Sequence, residues 1–169
     1  MGRPIRVELR PSLGPHLAAT SIPRRVILLD RSLLLRRGEF ERILVHEIFH
    51  FVWRRLSNAQ RRSWEDLLAG EFDAGAKGEL GWSAEWRKAK LSPARLSIAK
   101  SKKAKLRSSD PAHRSPAWRR YACESFCDSA AWLFAGLSDH DEFTLSARFR
   151  RGRKTWFSRI FPAATDVLV

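Results

Sequence analysis

The chain has 169 residues, 44% of them hydrophobic, with seven Trp and ten Phe. That length and that store of large apolar side chains fit one domain, residues 1–169, with a single sizeable core, and they exclude disorder throughout. Lys and Arg outnumber Asp and Glu by 32 to 18, a net charge of +14. Such a charge admits a nucleic-acid or acidic partner without requiring one, because its location matters more than its size. Two cysteines are too few for a disulfide scaffold. No apolar run approaches the roughly eighteen residues of a membrane span, and no apolar segment follows the charged stretch from Met1 to Arg10 to mark it for export. The expected compartment is the cytoplasm.

Ile5 to Leu9 alternates apolar and polar residues and predicts a half-buried strand. Pro11 to Pro23, with its Pro, Gly and Ser, reads as loop. Val26 to Leu29 is a short apolar run before Asp30 and predicts a second strand. Asp30 or Ser32 is placed to cap a helical segment through Leu33, Leu34 and Leu35, which Gly38 interrupts.

Phe40 to Leu56 contains neither Gly nor Pro and predicts a helix. On a wheel, Leu44, Val45, Ile48, Phe49, Phe51, Val52 and Leu56 fill one broad arc, with His46 and His50 opposite, so the imidazoles should look from a buried helix into a cleft. His46-Glu47-Ile48-Phe49-His50 is the most informative stretch of the chain. A helix turns about 100° per residue, so the two imidazoles stack on one face, within reach of one tetrahedral ion, while Glu47 projects to the side. Glu47 cannot complete that face as a third ligand, but it can take a proton from water held at an open coordination position. That pattern points to hydrolase chemistry with Zn2+.

After this helix, Ala59 to Ala69 predicts a short amphipathic helix, and four glycines break Gly70 to Ser83. Arg87 to Pro116 reads as a basic, Ser- and Pro-punctuated insertion. Nine basic residues and no acid fall between Arg87 and Arg107, and six more basic residues lie between Arg148 and Arg159. The remainder of the chain is close to neutral. A solvated connector is the plain expectation for the insertion; an electrostatic arm for nucleic acid, an acidic partner or an anionic membrane surface is the functional one. No aromatic side chain interleaves the lysines from Leu91 to Arg107, which argues against single-strand stacking. Ala117 to Gly136 predicts a second long helix, and Thr144 to Phe161 a last helix packing on the core.

The third ligand has to come from elsewhere. A third His six residues beyond His50 is ruled out, because Leu56 stands there and Trp53 occupies the position of the required Gly. On the second long helix Glu124 and Asp128 lie four apart, on one face with Tyr121, Ala131 and Ala135. Glu124 could ligate the metal while Asp128 accepts a hydrogen bond from a ligand imidazole. Glu65, Glu71 and Glu85 are the alternatives, none followed by an acid four residues later. Cys123 and Cys127 flank Glu124, so a thiolate ligand is weighed as well, although their expected role is tight helix packing.

With H-E-x-x-H on one helix and E-x-x-x-D on the next, the chain resembles the gluzincin, thermolysin-like, metallopeptidases, in a minimal-core form covering about half its length. The resemblance implies His46, His50 and Glu124 as zinc ligands, Glu47 as general base and Asp128 as the residue orienting a ligand. It also implies an α+β fold, mainly helical, with a small N-terminal sheet on the active-site helix, and with the strand before that helix, Val26 to Leu29, bordering the cleft and pairing with extended substrate. The expected function is zinc-dependent hydrolysis of peptide bonds in a peptide or protein substrate, through a zinc-bound water activated by Glu47. Tyr121 and His140 are the candidates for stabilising the oxyanion. The alternative is a basic, nucleic-acid-associated zinc protein, either non-catalytic or a protease acting on DNA-bound proteins. SprT-like proteases are the relatives for the latter, yet they place a further His soon after the motif helix, and none occurs here between His50 and His113.

Overall fold

The computed structural model describes residues 3–91 and 115–162. Within them the architecture is α+β and mainly helical. Three strands, β1 (Arg6–Arg10), β2 (Ala18–Ser21) and β3 (Val26–Asp30), precede five α-helices: α1 (Glu39–Arg55), α2 (Asn58–Asp73), α3 (Trp82–Ala89), α4 (Pro116–Phe134) and α5 (Ala147–Ile160). None of these helices is long and apolar enough to cross a membrane.

β3 is the central strand, parallel to β1 and antiparallel to β2. Its run Val-Ile-Leu-Leu-Asp is almost wholly buried, which a strand flanked on both edges and covered by a helix requires. The stretch expected as loop from Pro11 to Pro23 instead contains β2. Ala-Ala-Thr-Ser has no large apolar alternation, so its strand character comes from pairing with β3, Ala18 opposite Leu29 and Ser21 opposite Val26. At the end of β3, Asp30 caps a short 3-10 helix (Arg31–Leu35), its carboxylate accepting from the Ser32 amide at 2.9 Å.

Gly38 then lets the chain turn into α1 with φ +86°, a left-handed value that a side chain would strain. Its amide donates to Glu41 at 2.9 Å, and the acids Glu39 and Glu41 at one end, with Arg54 and Arg55 at the other, match the helix dipole. α1 is the hub of the fold. On one side Phe51 packs with Ile27, Leu29 and Leu33 from the sheet region. On the other, Phe49, Val52 and Trp53 join Trp64 of α2, Phe126 of α4 and Trp156 and Phe157 of α5 in the main core. The buried small residues Ala122, Ser125, Ser129 and Ala130 let α4 come close. Truncating an aromatic such as Phe126, fully buried here, should cost about 3–5 kcal/mol.

α2 starts on a reciprocal cap, the Ser57 hydroxyl accepting from the Gln60 amide and the Gln60 side chain accepting from the Ser57 amide. It continues through Gly70 to Asp73, beyond the expected end at Ala69. α4 begins at Pro116 behind Ser115, whose hydroxyl accepts from the Trp118 amide. Of the expected basic insertion, residues 92–114 lie outside the described residues, while Arg87 to Ala89 belong to α3. The basic run of α5 is only partly a solvated face. Arg153 is fully buried, and the Arg150 guanidinium donates to the carbonyls of Phe143 and Leu145.

That buried arginine anchors a charged network under the site. Arg153 reaches Glu71 at 2.7 Å and Glu79 at 2.8 Å, and Lys88 reaches Glu79 at 2.9 Å. Tyr121 donates to Glu79 at 2.6 Å, and Ser125 adds a weaker bond at 3.3 Å. Two carboxylates facing two cations make burial tolerable, since an unpaired ion here would cost several kcal/mol.

Candidate metal centre

His46 and His50 project from adjacent turns of α1, their ring centroids 5.0 Å apart. Across from them, α4 presents Glu124, Cys127 and Asp128. His46, His50 and Cys127 each offer a donor atom within 4.8 Å of the other two, and this buried group could hold a metal ion. The donor set suits one: two imidazoles and a thiolate match the preferences of zinc.

The orienting contacts are specific. His46 Nδ1 lies 2.7 Å from Asp128 Oδ1, which leaves Nε2 free to face a ligand. Nε2 in turn lies 3.3 Å from Glu124 Oε2. The other Asp128 oxygen accepts from the Ala84 amide at 2.9 Å, so one carboxylate ties the ring of α1 to the start of α3. A second carboxylate, Glu142, accepts from the Trp82 amide at 2.8 Å. Both bonds satisfy amides at a helix start whose own cap residue, Gly81, has no side chain to do so.

The electrostatics follow the contacts. Burial opposes charge on His46, but the Asp128 carboxylate, with Glu124 and Glu47, holds its pKa well above the ordinary value. For Glu124 burial pushes the carboxyl up, and the hydrogen bond and charge of His46, with His50 and Arg87, outweigh it and hold the group below its ordinary value. Imidazole and carboxylate side chains of α1 and α4 thus face one another, a charge pattern in which a bound cation would compete with the proton.

Cys123 and Cys127 do more than fill space. Their sulfurs lie 3.6 and 3.4 Å from His50 Nδ1, so the thiols contact the second imidazole where Asp128 contacts the first. The sequence held a partial signal, since Cys123 and Cys127 bracket Glu124 in the chain, but the contact with His50 is set by the packing of α4 on α1.

An open cleft runs over the site in two contiguous halves of about 530 and 700 Å³. His46 and Glu47 line both halves, with Glu124 and His50 in the larger and Asp128 in the smaller. Edge strand β2 forms one wall, through Ala18, Ala19 and Thr20, and the Thr20 hydroxyl reaches the Glu47 carbonyl at 3.5 Å. The opposite wall is α3, with the exposed rings of Trp82 and Trp86. His16 also lines both halves. None of β2, His16, Trp82 or Trp86 was foreseen at the site, because a wall is made by elements that meet only in the folded chain.

Two expected residues are not brought to the cleft. Tyr121 is wholly buried with its hydroxyl committed to Glu79, and its phenol is pushed well above the ordinary value by burial and by the Glu79 charge. His140 has both ring nitrogens engaged, Nε2 by Glu39 and Nδ1 as acceptor from the Glu142 amide at 3.2 Å. Glu39, His140 and Glu142 form a second converging group, but Arg42 already bridges its two carboxylates at 2.9 and 2.8 Å. Among the alternative ligands, Glu71 is bound to Arg153, and neither Glu65 nor Glu85 lines the cleft. The chain matches no protein-family model, no curated protein and no solved structure.

Proposed function

We propose that this chain is a zinc-dependent peptide hydrolase of the gluzincin kind, with His46, His50 and Glu124 as metal ligands, Glu47 as general base and Asp128 as the group that orients His46. One observation carries the reading: His46 has Asp128 on Nδ1 at 2.7 Å and Glu124 beside Nε2 at 3.3 Å. Two segments some eighty residues apart thus meet in the pairing that the H-E-x-x-H and E-x-x-x-D spacings call for.

A bound zinc ion would polarise a substrate carbonyl and lower the pKa of water. The protein supplies the rest. Glu47, only 9% exposed and lining both halves of the cleft, would accept the proton of the attacking water and deliver it to the departing amine nitrogen. β2, one of the two edge strands of the sheet among the described residues, would offer its outer side to an extended peptide backbone. The strand that borders the cleft is therefore β2, and β3, the strand expected in that role, lies behind it. With Tyr121 and His140 held elsewhere, His16, which lines both halves of the cleft, is the donor we assign to the developing oxyanion.

The test is metal content together with a Glu47→Gln variant. Stoichiometric zinc in the purified protein, peptide cleavage, and loss of cleavage by about 100-fold or more in the variant are expected. Zinc-free protein, or unchanged turnover in Glu47→Gln, would end the reading.

The thiol contacts favour a second reading, a closed structural site in which Cys127 joins His46, His50 and Glu124 as a fourth ligand and no position stays open to water. Such a protein would lose zinc and fold stability in Cys127→Ser yet show no turnover to lose. The basic character of the chain would then point to the nucleic-acid-associated alternative.

A further inference from the structure

The larger half of the cleft is chemically lopsided. Its end between α3 and α4 carries Arg87, Lys90 and Arg120. Arg87 and Lys90 lie three apart at the end of α3, and Arg120 lies one turn before Glu124 on α4, so the two helices bring their cations to the same place. Arg87 is fixed, donating to the Ser83 carbonyl at 2.9 Å and pairing with Glu124 Oε1 at 3.0 Å. Lys90 and Arg120 are exposed and have no acidic partner among the described residues. The acids in that half are Glu47 and Glu124, and both already have a use in the site. Positive charge left over inside a concavity attracts an anionic group more strongly than the same charge on a flat surface, because the walls exclude water.

We infer that Lys90 and Arg120, with Arg87 behind them, form a subsite for a carboxylate of the substrate: an acidic side chain, or the free chain end, of a peptide lying along β2. Peptide is favoured over nucleic acid because the cations sit at the end of a walled cleft with the sheet edge beside them. The subsite deepens the hydrolase reading and rests on it. Arg87 has a positioning role, holding Glu124 Oε1 while Oε2 faces His46. The outer pair makes the selection. Sequence alone assigns Arg87 and Lys90 to a solvated basic stretch and Arg120 to the second long helix, and it is the start of α3 on Asp128 and Glu142 that carries the first two to the cleft beside the third.

Binding and cleavage test the subsite separately. Zinc-supplemented Glu47→Gln protein is titrated, by fluorescence anisotropy, into four labelled probes: an amidated peptide with internal Glu, a neutral amidated peptide, the neutral peptide with a free C-terminus, and a single-stranded oligonucleotide. One carboxylate-bearing peptide should bind roughly tenfold more tightly than the neutral amidated one, with a preference that fades in high salt. Which peptide gains identifies the source as side chain or chain end. Lys90→Glu/Arg120→Glu should abolish the preference, and Lys90→Gln/Arg120→Gln should reduce it without adding new charge. Equal binding of the three peptides overturns the subsite. So does a preference untouched by either variant, or an oligonucleotide that outcompetes the peptides and is released by the same variants. If the acidic preference appears but the wild-type chain cleaves nothing, the subsite stands and the hydrolase reading falls. If the wild type cleaves peptides with no preference for carboxylates, the outcome is the reverse.

Discussion

Gly81 and Asp128 touch so closely that a methyl group at Gly81 would overlap the Asp128 carboxylate. The constraint is space and not backbone conformation, because Gly81 has an extended φ of 178° that any residue adopts. Asp128 is 2% exposed and holds both His46 and the Ala84 amide, so it has nowhere to go without releasing one of them. Gly81→Ala should therefore cost about 1–3 kcal/mol of stability, as overpacking does. It should also weaken zinc binding by about 10-fold or more through the displaced orienting group. Thermal melts and chelator competition measure the two effects. Unchanged zinc affinity in a folded variant would show that Asp128 does not govern the metal centre.

Asp128→Asn isolates the orienting contact from the packing. It keeps the shape of the side chain but removes the charge that holds the proton on His46 Nδ1, so zinc affinity should fall by about 10–100-fold. Competition with a chromophoric chelator reads the change. Wild-type affinity would mean that His46 is not a ligand.

The two thiols should differ in reactivity in metal-free protein. A hydrogen bond from Cys127, and after it His50 against the effect of burial, lowers Cys123 to about 6. Burial, and then Cys123 itself, pushes Cys127 well above the usual thiol value. Iodoacetamide at neutral pH should label Cys123 and spare Cys127, read by mass spectrometry of the digest. Added zinc should slow the labelling; equal labelling of both residues would contradict the contacts seen at His50.

Acid sensitivity should come from the buried network. Burial raises the Glu79 carboxyl, but Arg153 and Lys88, with the hydrogen bonds of Arg153 and Tyr121, outweigh it and hold the group below its ordinary value of 4.5. The folded state therefore binds that proton less readily than the unfolded chain, and the stabilisation is present above pH 4.5 and lost as pH falls through the folded value. Denaturant midpoints followed downward from pH 6 should drop most steeply below the mid-4 range, and Glu79→Gln should flatten that slope. An equally steep loss in the variant would assign acid sensitivity elsewhere.

Tyr121→Phe separates scaffold from site. The substitution removes one hydrogen bond to Glu79, at a cost of about 1 kcal/mol or somewhat more because the acceptor is ionised. Peptide turnover, where present, should stay as in the wild type. A large loss of turnover with unchanged stability would return Tyr121 to the list of reacting groups.

Much of this molecule is written in local pattern. The helix bearing His46, Glu47 and His50, the central strand from Val26 and the helix bearing Glu124 and Asp128 are legible because periodicity and capping are properties of neighbouring residues. So is the pairing of two imidazoles on one face, which needs only the pitch of the helix. β2 was not legible, because Ala18 to Ser21 becomes a strand only by hydrogen-bonding to β3. Tyr121 and Asp128 make the same point from one helix. Both share a face with Glu124 by spacing, yet Asp128 meets His46 while Tyr121 meets Glu79.

The sequence by itself determined most of the elements and the side chains on them that could hold a metal ion, since these follow from residue type and separation along one helix. Only the tertiary structure decided which of the α4 side chains reach the imidazoles, that Cys123 and Cys127 press on His50, and that Arg87 joins the cleft and not a solvated arm. The physical reason is that a helix face spans more than one neighbour. Which neighbour a side chain meets is set by packing between elements far apart in the chain, and spacing within one element carries no record of it.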